Sequence, residues 1–190
     1  MRPETASHQQ KGTKAKIMAN IQNVRIGDCD VFYNEVHLGH TKGGVEFTFE
    51  REFEDLTVDK YGNMPLDMAL TGQNLLIKAY LAEITNDVLN VAIPEGGYAT
   101  GSVDDKLGLG TDAGYLLRND AQPLRLHPRN KAATDYSEDI YIWKAASVEN
   151  VEMAFKIDEQ RVIETTFRAF VDETQPNGSR LGRIGPANIS

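Results

Sequence analysis

Cysteine, positive charge and long apolar runs are all scarce in this sequence, and each scarcity excludes something. Cys29 is the only cysteine among 190 residues. An intrachain disulfide and a metal site built from several thiolates are therefore excluded, and a reducing compartment is the natural expectation. Lys and Arg number 20 against 28 Asp and Glu, a net charge of −8, which argues against a surface devoted to gripping nucleic-acid phosphates. No window approaches the ~20 apolar residues of a membrane-spanning helix. The first residues also lack the apolar centre of a signal peptide. The expectation is a chain made in the cytosol, kept there or carried away inside a larger particle, with no membrane binding of its own. Hydrophobic residues at 41% and charged residues at 25% are ordinary globular values that exclude wholesale disorder and fibrous repetition. The length fits one domain with a real core.

Charge is unevenly spread. Residues 1–17 carry Arg2, Lys11, Lys14 and Lys16 against Glu4 alone, a local +3, so the rest of the chain holds −11 of the −8 total. Residues 1–20 are accordingly expected to be a basic arm or extension, with Met18 as an alternative start, and the oppositely charged body would attract such an arm. A β domain is expected over 21–175, opening near Val24, and a polar tail rich in glycine and proline over 176–190. VRIGDCDVFYNEVHLG reads as two short strands around the Gly27-Asp28 turn and the Tyr33-Asn34-Glu35 turn. From Val45 the period becomes clear. Val45, Phe47, Phe49 and Phe53 alternate with Glu46, Thr48, Glu50, Glu52 and Glu54, which predicts a long strand with one buried and one acidic face. Parity flips at Leu56 and Val58, suggesting a bulge there, and Asp59, Lys60, Tyr61, Gly62, Asn63, Met64 and Pro65 carry turn chemistry. The return strand passes Leu66, Met68 and Leu70, breaks near Gly72, and resumes from Leu75 to Leu81.

Thr85 is a good N-cap, and Val88, Leu89, Ala92 and Ile93 share a helical face that ends before Pro94. Residues 94–137 are expected to be mostly loops, with strands near 115–117 and 124–126. Three further strands are predicted at 140–146, 151–157 and 161–171, the last two joined by the Asp158-Glu159-Gln160 turn. The sum is a mainly β chain, a sandwich or partial barrel with a long hairpin and one short helix.

No enzyme motif emerges. The glycines of LGLGTDAG are misplaced for a dinucleotide loop, and a phosphate-loop lysine is absent. His37 and His40 lie three apart with no third ligand at convincing spacing, so no metal or cofactor is expected. The carboxylates form a strand face instead of an isolated pair in an apolar pocket. Cys29 lacks a nucleophile signature and reads as an idle thiol.

The segment LGHTKGGVEFTFEREFEDLTVDKYGNMPLD carries a Leu-Gly-x-Thr-x-Gly-Gly-Val start, an acidic alternating strand and a tip with Val58, Asp59, Tyr61, Gly62 and Pro65. It resembles the first strand and long loop of major tail tube proteins of long-tailed bacteriophages. LLIKAYLAEITNDVLNVAIP resembles that family's return strand and flanking helix. More loosely, IYIWKAASVENVEMAFKIDEQRVIETTFRAFVDE is similar as well, so the resemblance covers roughly residues 21–175. The first 17 residues and the long middle loop depart from it.

The resemblance implies a tail tube fold and a structural virion protein, not an enzyme. Its subunits would form hexameric rings, assembled in the host cytoplasm and stacked into the virion tail as a channel for genome ejection. The implied partners are further copies of the chain, the tape measure, terminator and distal tail proteins, and double-stranded DNA in transit without specific binding. Similar folds occur in contractile tails and type VI secretion rings, which leaves the presence of a sheath open. On this reading Glu46, Thr48, Glu50, Glu52 and Glu54 face the lumen, and Asp59 to Pro65 contact the adjacent ring. The alternatives are a monomeric β-sandwich that binds a ligand or carbohydrate through residues 94–137, and a hydrolase using strand carboxylates.

Overall fold

The computed structural model describes residues 27–101 and 104–186. Among the described residues ten strands are present: β1 (Cys29–Tyr33), β2 (Val36–His37), β3 (Thr41–Leu56), β4 (Asp67–Leu81), β5 (Gly97–Ala99), β6 (Lys106–Gly108), β7 (Gln122–Pro128), β8 (Ile140–Ser147), β9 (Ile163–Ala169) and β10 (Gly182–Ile184). One α-helix, α1 (Asn86–Ala92), joins them. Eight strands form one antiparallel sheet in the order β2-β1-β7-β8-β9-β4-β3, with β10 on β8, while β5 and β6 pair separately. The protein is therefore mainly β. The large sheet stays open, because β2 and β3 are its edges and do not meet.

Local chemistry accounts for most boundaries. Asn34 and Glu35 turn β1 into β2 with φ of 50° and 62°, the left-handed pair a two-residue hairpin needs. The Thr85 hydroxyl accepts the Val88 N–H at 3.3 Å to start α1, and the helix stops at Ala92, two residues before Pro94. Val88 and Ala92 are buried against the sheet, with Leu89 and Ile93 packed at the margin. The core they cover is built from alternating residues of five strands: Val31, Leu124, Leu126, Ile142, Ile163, Phe167, Leu75, Ile77 and Leu81.

Three expectations need correction. The strand predicted over 151–157 does not form. Its alternating residues find no partner strand among the described residues, and Phe155 and Ile157 are 76% and 106% exposed. The strand predicted near 115–117 is replaced by a 3-10 turn at Leu117–Asn119. The polar stretch after Pro176 is not all tail, since Gly182–Ile184 pairs with Ile140–Ile142. Gly182 permits this approach, because a Cβ there would stand 2.4 Å from the Tyr141 carbonyl oxygen. The arm expected over 1–20, the opening at Val24 and the last four residues lie outside the described residues.

Candidate interaction surface

The β3–β4 hairpin holds every residue that the sequence assigned to the lumen or to the contact between rings. Its ladder runs from Thr41↔Leu81 to Leu56↔Asp67. The register shifts between Glu52↔Gly72 and Phe53↔Leu70, which leaves Thr71 as the extra residue of a β-bulge. This bulge thus lies on the return strand, next to the predicted break at Gly72, and not at Leu56; a second irregularity falls on β3 between Thr41 and Val45, where three residues stand against Tyr80.

Pairing fixes the two faces. Glu46, Thr48, Glu50, Glu52 and Glu54 stand opposite Lys78, Leu76, Asn74, Gly72 and Ala69, and all five of these β3 residues are exposed. The Asn74 amide donates to Glu50 at 3.1 Å, and Lys78 pairs with Glu164 of β9. That contact is the first cause that raises the Lys78 ammonium above its ordinary range. These glutamates form an open, exposed acidic row.

The other face carries Val45, Phe47, Phe49 and Phe53, opposite Ala79, Ile77, Leu75 and Leu70. Here the sequence reading is only half right. Ile77 and Ala79 are fully buried and Val45 packs on the core margin. Phe47, Phe49 and Phe53, however, remain 38%, 43% and 46% exposed, joined by Met68 at 57% and Leu70 at 49%. The cause is the length of the neighbouring strand. β9 pairs with β4 only from Leu76 to Leu81, so beyond Leu75 the hairpin leaves the sheet and its apolar face loses its cover. The 170–182 segment passes nearby without sealing it, leaving a cavity of about 450 Å³ between Leu70–Gln73 and Asn177–Gly182.

At the far end, Asp59–Tyr61 makes a 3-10 turn, closed by Tyr61 N–H to the Val58 carbonyl at 3.0 Å and Leu66 N–H to the Leu56 carbonyl at 2.8 Å. Gly62 follows with φ 61° and ψ −128°, a region that L side chains avoid. Asp59, Lys60, Tyr61, Gly62, Asn63, Met64 and Pro65 are all exposed. Around them Leu56, Val58, Tyr61, Met64 and Leu66 present apolar side chains to water, which the sequence pattern did not anticipate. The outer side of β3 has no partner strand among the described residues.

Elsewhere the candidate chemistry disperses. His37 Nε2 lies 3.2 Å from Asp30 and His40 Nε2 lies 3.7 Å from Glu83, so each histidine has its own carboxylate. Among the described residues, no group of three or more His, Cys, Asp or Glu is placed to hold a metal ion. Burial, then the charges of Asp28 and Asp30, push the Cys29 thiol up to about 11. That suppresses the thiolate a nucleophile needs. In the 94–137 region, Tyr98 hydrogen-bonds to Asp87 and Asp105, and Tyr115 to Asp120. The Asp120 bond, with burial second, raises the Tyr115 hydroxyl to about 12. These contacts tie loops to α1 and to one another. Among the described residues, no helix is long and apolar enough to cross a membrane.

No protein-family model and no curated protein sequence matches the chain.

Proposed function

We propose that this chain is a structural subunit that completes its sheet with further copies of itself: a tail tube protein of a long-tailed bacteriophage, stacked as hexameric rings in the virion tail. The observation that carries the reading is the outer half of the hairpin. It leaves the domain with an apolar face uncovered, a 16-residue edge strand with no partner on its outer side among the described residues and an apolar tip in water. An isolated subunit gains nothing from that arrangement, because a long exposed edge with apolar side chains invites association. Neighbouring copies in a ring would cover the Phe47–Phe53 face and pair the β3 edge. The Asp59–Pro65 tip would then meet the next ring, and the Glu46–Glu54 row would be left to the channel.

An acidic wall suits passing DNA. It repels the phosphate backbone, whereas a basic wall would bind it through counterion release. The same reading assigns the tape measure, terminator and distal tail proteins as partners, places assembly in the host cytoplasm, and gives the chain no catalytic role. Negative-stain electron microscopy of the purified chain, with size-exclusion chromatography across concentration, tests it. Rings or tubes are the expected result. A subunit that stays at ~21 kDa at every concentration overturns the reading in favour of a monomeric ligand-binding module.

A further inference from the structure

On the face of the sheet opposite the core, three residues stand in a cross-strand row: Arg125 of β7, Tyr141 of β8 and Arg183 of β10, paired Arg125↔Tyr141 and Arg183↔Tyr141. The two arginines are not equivalent. Arg125 is neutralised twice, by Asp139 and Glu35, each at 3.4 Å, and its guanidinium stacks 4.1 Å from the Phe32 ring centroid. The other Asp139 oxygen meets His127 Nδ1 at 2.7 Å, so that carboxylate is fully used.

Arg183 has no such partner. Its guanidinium lies 5.0 Å from the Tyr141 ring centroid and 5.1 Å from the Trp143 ring centroid, which restricts its position. Its Nε is buried without a hydrogen-bond acceptor, and no carboxylate among the described residues pairs with it. The Trp143 indole is itself anchored by donating to the Ser179 carbonyl at 2.6 Å. A cavity of about 260 Å³ opens over the row, bounded by Arg125, Tyr136, Asp139, Tyr141, Arg183 and Glu35.

A buried N–H without an acceptor is costly, and an arginine held between two rings has already lost part of the side-chain entropy that binding normally costs. We propose that this cavity is a carboxylate-binding site, with Arg183 as the receptor and Tyr141 as the floor under the ligand. Arg125 and Arg183 against Glu35 and Asp139 already sum to zero across the cavity, so the ligand class is set by the one guanidinium that no carboxylate touches and by the need to add little further negative charge. One carboxylate completes the pairing, whereas a phosphate dianion would bring a second negative charge beside Glu35 and Asp139. The carboxylate belongs either to a small free acid or to an acidic side chain of a second copy.

Trp143 is the only tryptophan and touches the receptor, so its fluorescence reports the site directly. The experiment titrates dilute protein, kept below any assembly threshold, with sodium acetate at constant ionic strength. Chloride and inorganic phosphate serve as the parallel arms, and the Arg183 side-chain Nε–H resonance is followed by NMR. The expected result is a saturable Trp143 change and a downfield Nε–H shift with acetate, with a millimolar midpoint. Chloride should produce neither, and phosphate should act at least several-fold more weakly. Arg183→Gln should abolish the response and Arg183→Lys should retain part of it. Arg118→Gln, on a different surface, should leave it intact.

Raising protein concentration without acetate separates the two sources. A shift of the same resonance that acetate reverses assigns a second copy's carboxylate, and no shift assigns a free acid. The NMR arm needs no variant, so a misfolded Arg183→Gln leaves the test standing. Absence of any acetate response, or a stronger response to phosphate, overturns the proposal. Because the protein is dilute, failure to form rings does not bear on this outcome.

Discussion

Within a single ladder, β4 lives in two environments. From Leu75 to Leu81 its alternate residues are buried, and from Asp67 to Asn74 none is. The two halves have similar sequences, with alternating apolar residues opposite an apolar strand in each. The difference is what lies over them. The inner half has β9 beside it and the core beneath, whereas the outer half has one partner strand and water. Burial is therefore a property of the neighbours a strand can reach, and a hydrophobic face with none in its own chain is incomplete. Breaking each half in turn should give opposite results.

The largest effect belongs to the inner half. Phe167, fully buried against Ile77, should cost about 3–5 kcal/mol when changed to Ala, because it leaves a cavity in a core that relaxes only partly. Phe53→Ala in the outer half should change subunit stability by less than about 0.5 kcal/mol, as exposed substitutions do. It should nonetheless weaken ring formation if neighbours cover that face. Urea denaturation of the dilute subunit measures the first quantity, and sedimentation of assembled material measures the second. A Phe53→Ala loss as large as that of Phe167→Ala would dissolve the contrast.

Next comes the tip. Deleting residues 60–64 removes Gly62, Met64 and the end of the 3-10 turn, none of which contacts the core. The subunit should keep its circular dichroism spectrum and its unfolding midpoint, and any rings should fail to stack. Normal tubes from the deletion, seen by electron microscopy, would remove the tip from the contact between rings.

A smaller effect is expected at the bulge. Removing Thr71 brings Leu70 and Gly72 into direct succession opposite Phe53 and Glu52, which regularises the ladder without flipping a face. Bulges bend and twist a strand, so the outer half should straighten. The unfolding free energy should move by no more than about 1 kcal/mol, the scale of a mild local change, while assembly weakens because the apolar face and tip are re-aimed. A variant that assembles as well as the parent would show that the bend is incidental.

How far the sequence could be read follows from the same contrast. Period-2 alternation located β3 and β4 and told which of their residues share a face, and Thr85 and Pro94 marked the ends of α1 to within a residue or two, because these are local signals. The exposure of Phe47, Phe49 and Phe53 was not legible, since it depends on β9 ending opposite Leu76, more than eighty residues away in the chain. Segment 151–157 failed for a related reason: Val151, Met153, Phe155 and Ile157 have strand period but no strand to join. The strand at Gly182–Ile184 was hidden by short length and polar flanks, although Gly182 beside Tyr141 is what makes it possible. The Arg125–Tyr141–Arg183 row joins three strands distant in sequence, and no spacing rule announces it.

The subtlest effect separates the two faces of the outer half. Glu46, Glu50 and Glu52 are exposed, and of their contacts only the Asn74–Glu50 hydrogen bond would be lost, so changing all three to Lys should leave the fold of the subunit intact. Tubes should still form, somewhat weakened where like charges gather around the ring. Transport is where the change should register. In a channel, three added lysines per subunit convert a repelling wall into one that binds phosphate, and that attraction should weaken steeply as salt rises. DNA ejection from particles carrying the triple variant should therefore slow at low salt and recover towards the parental rate at high salt. If such particles assemble and eject at the parental rate at both salt concentrations, the glutamate row faces outward, and the uncovered apolar face on the other side of the hairpin must point toward the axis or into a neighbouring subunit by a different packing.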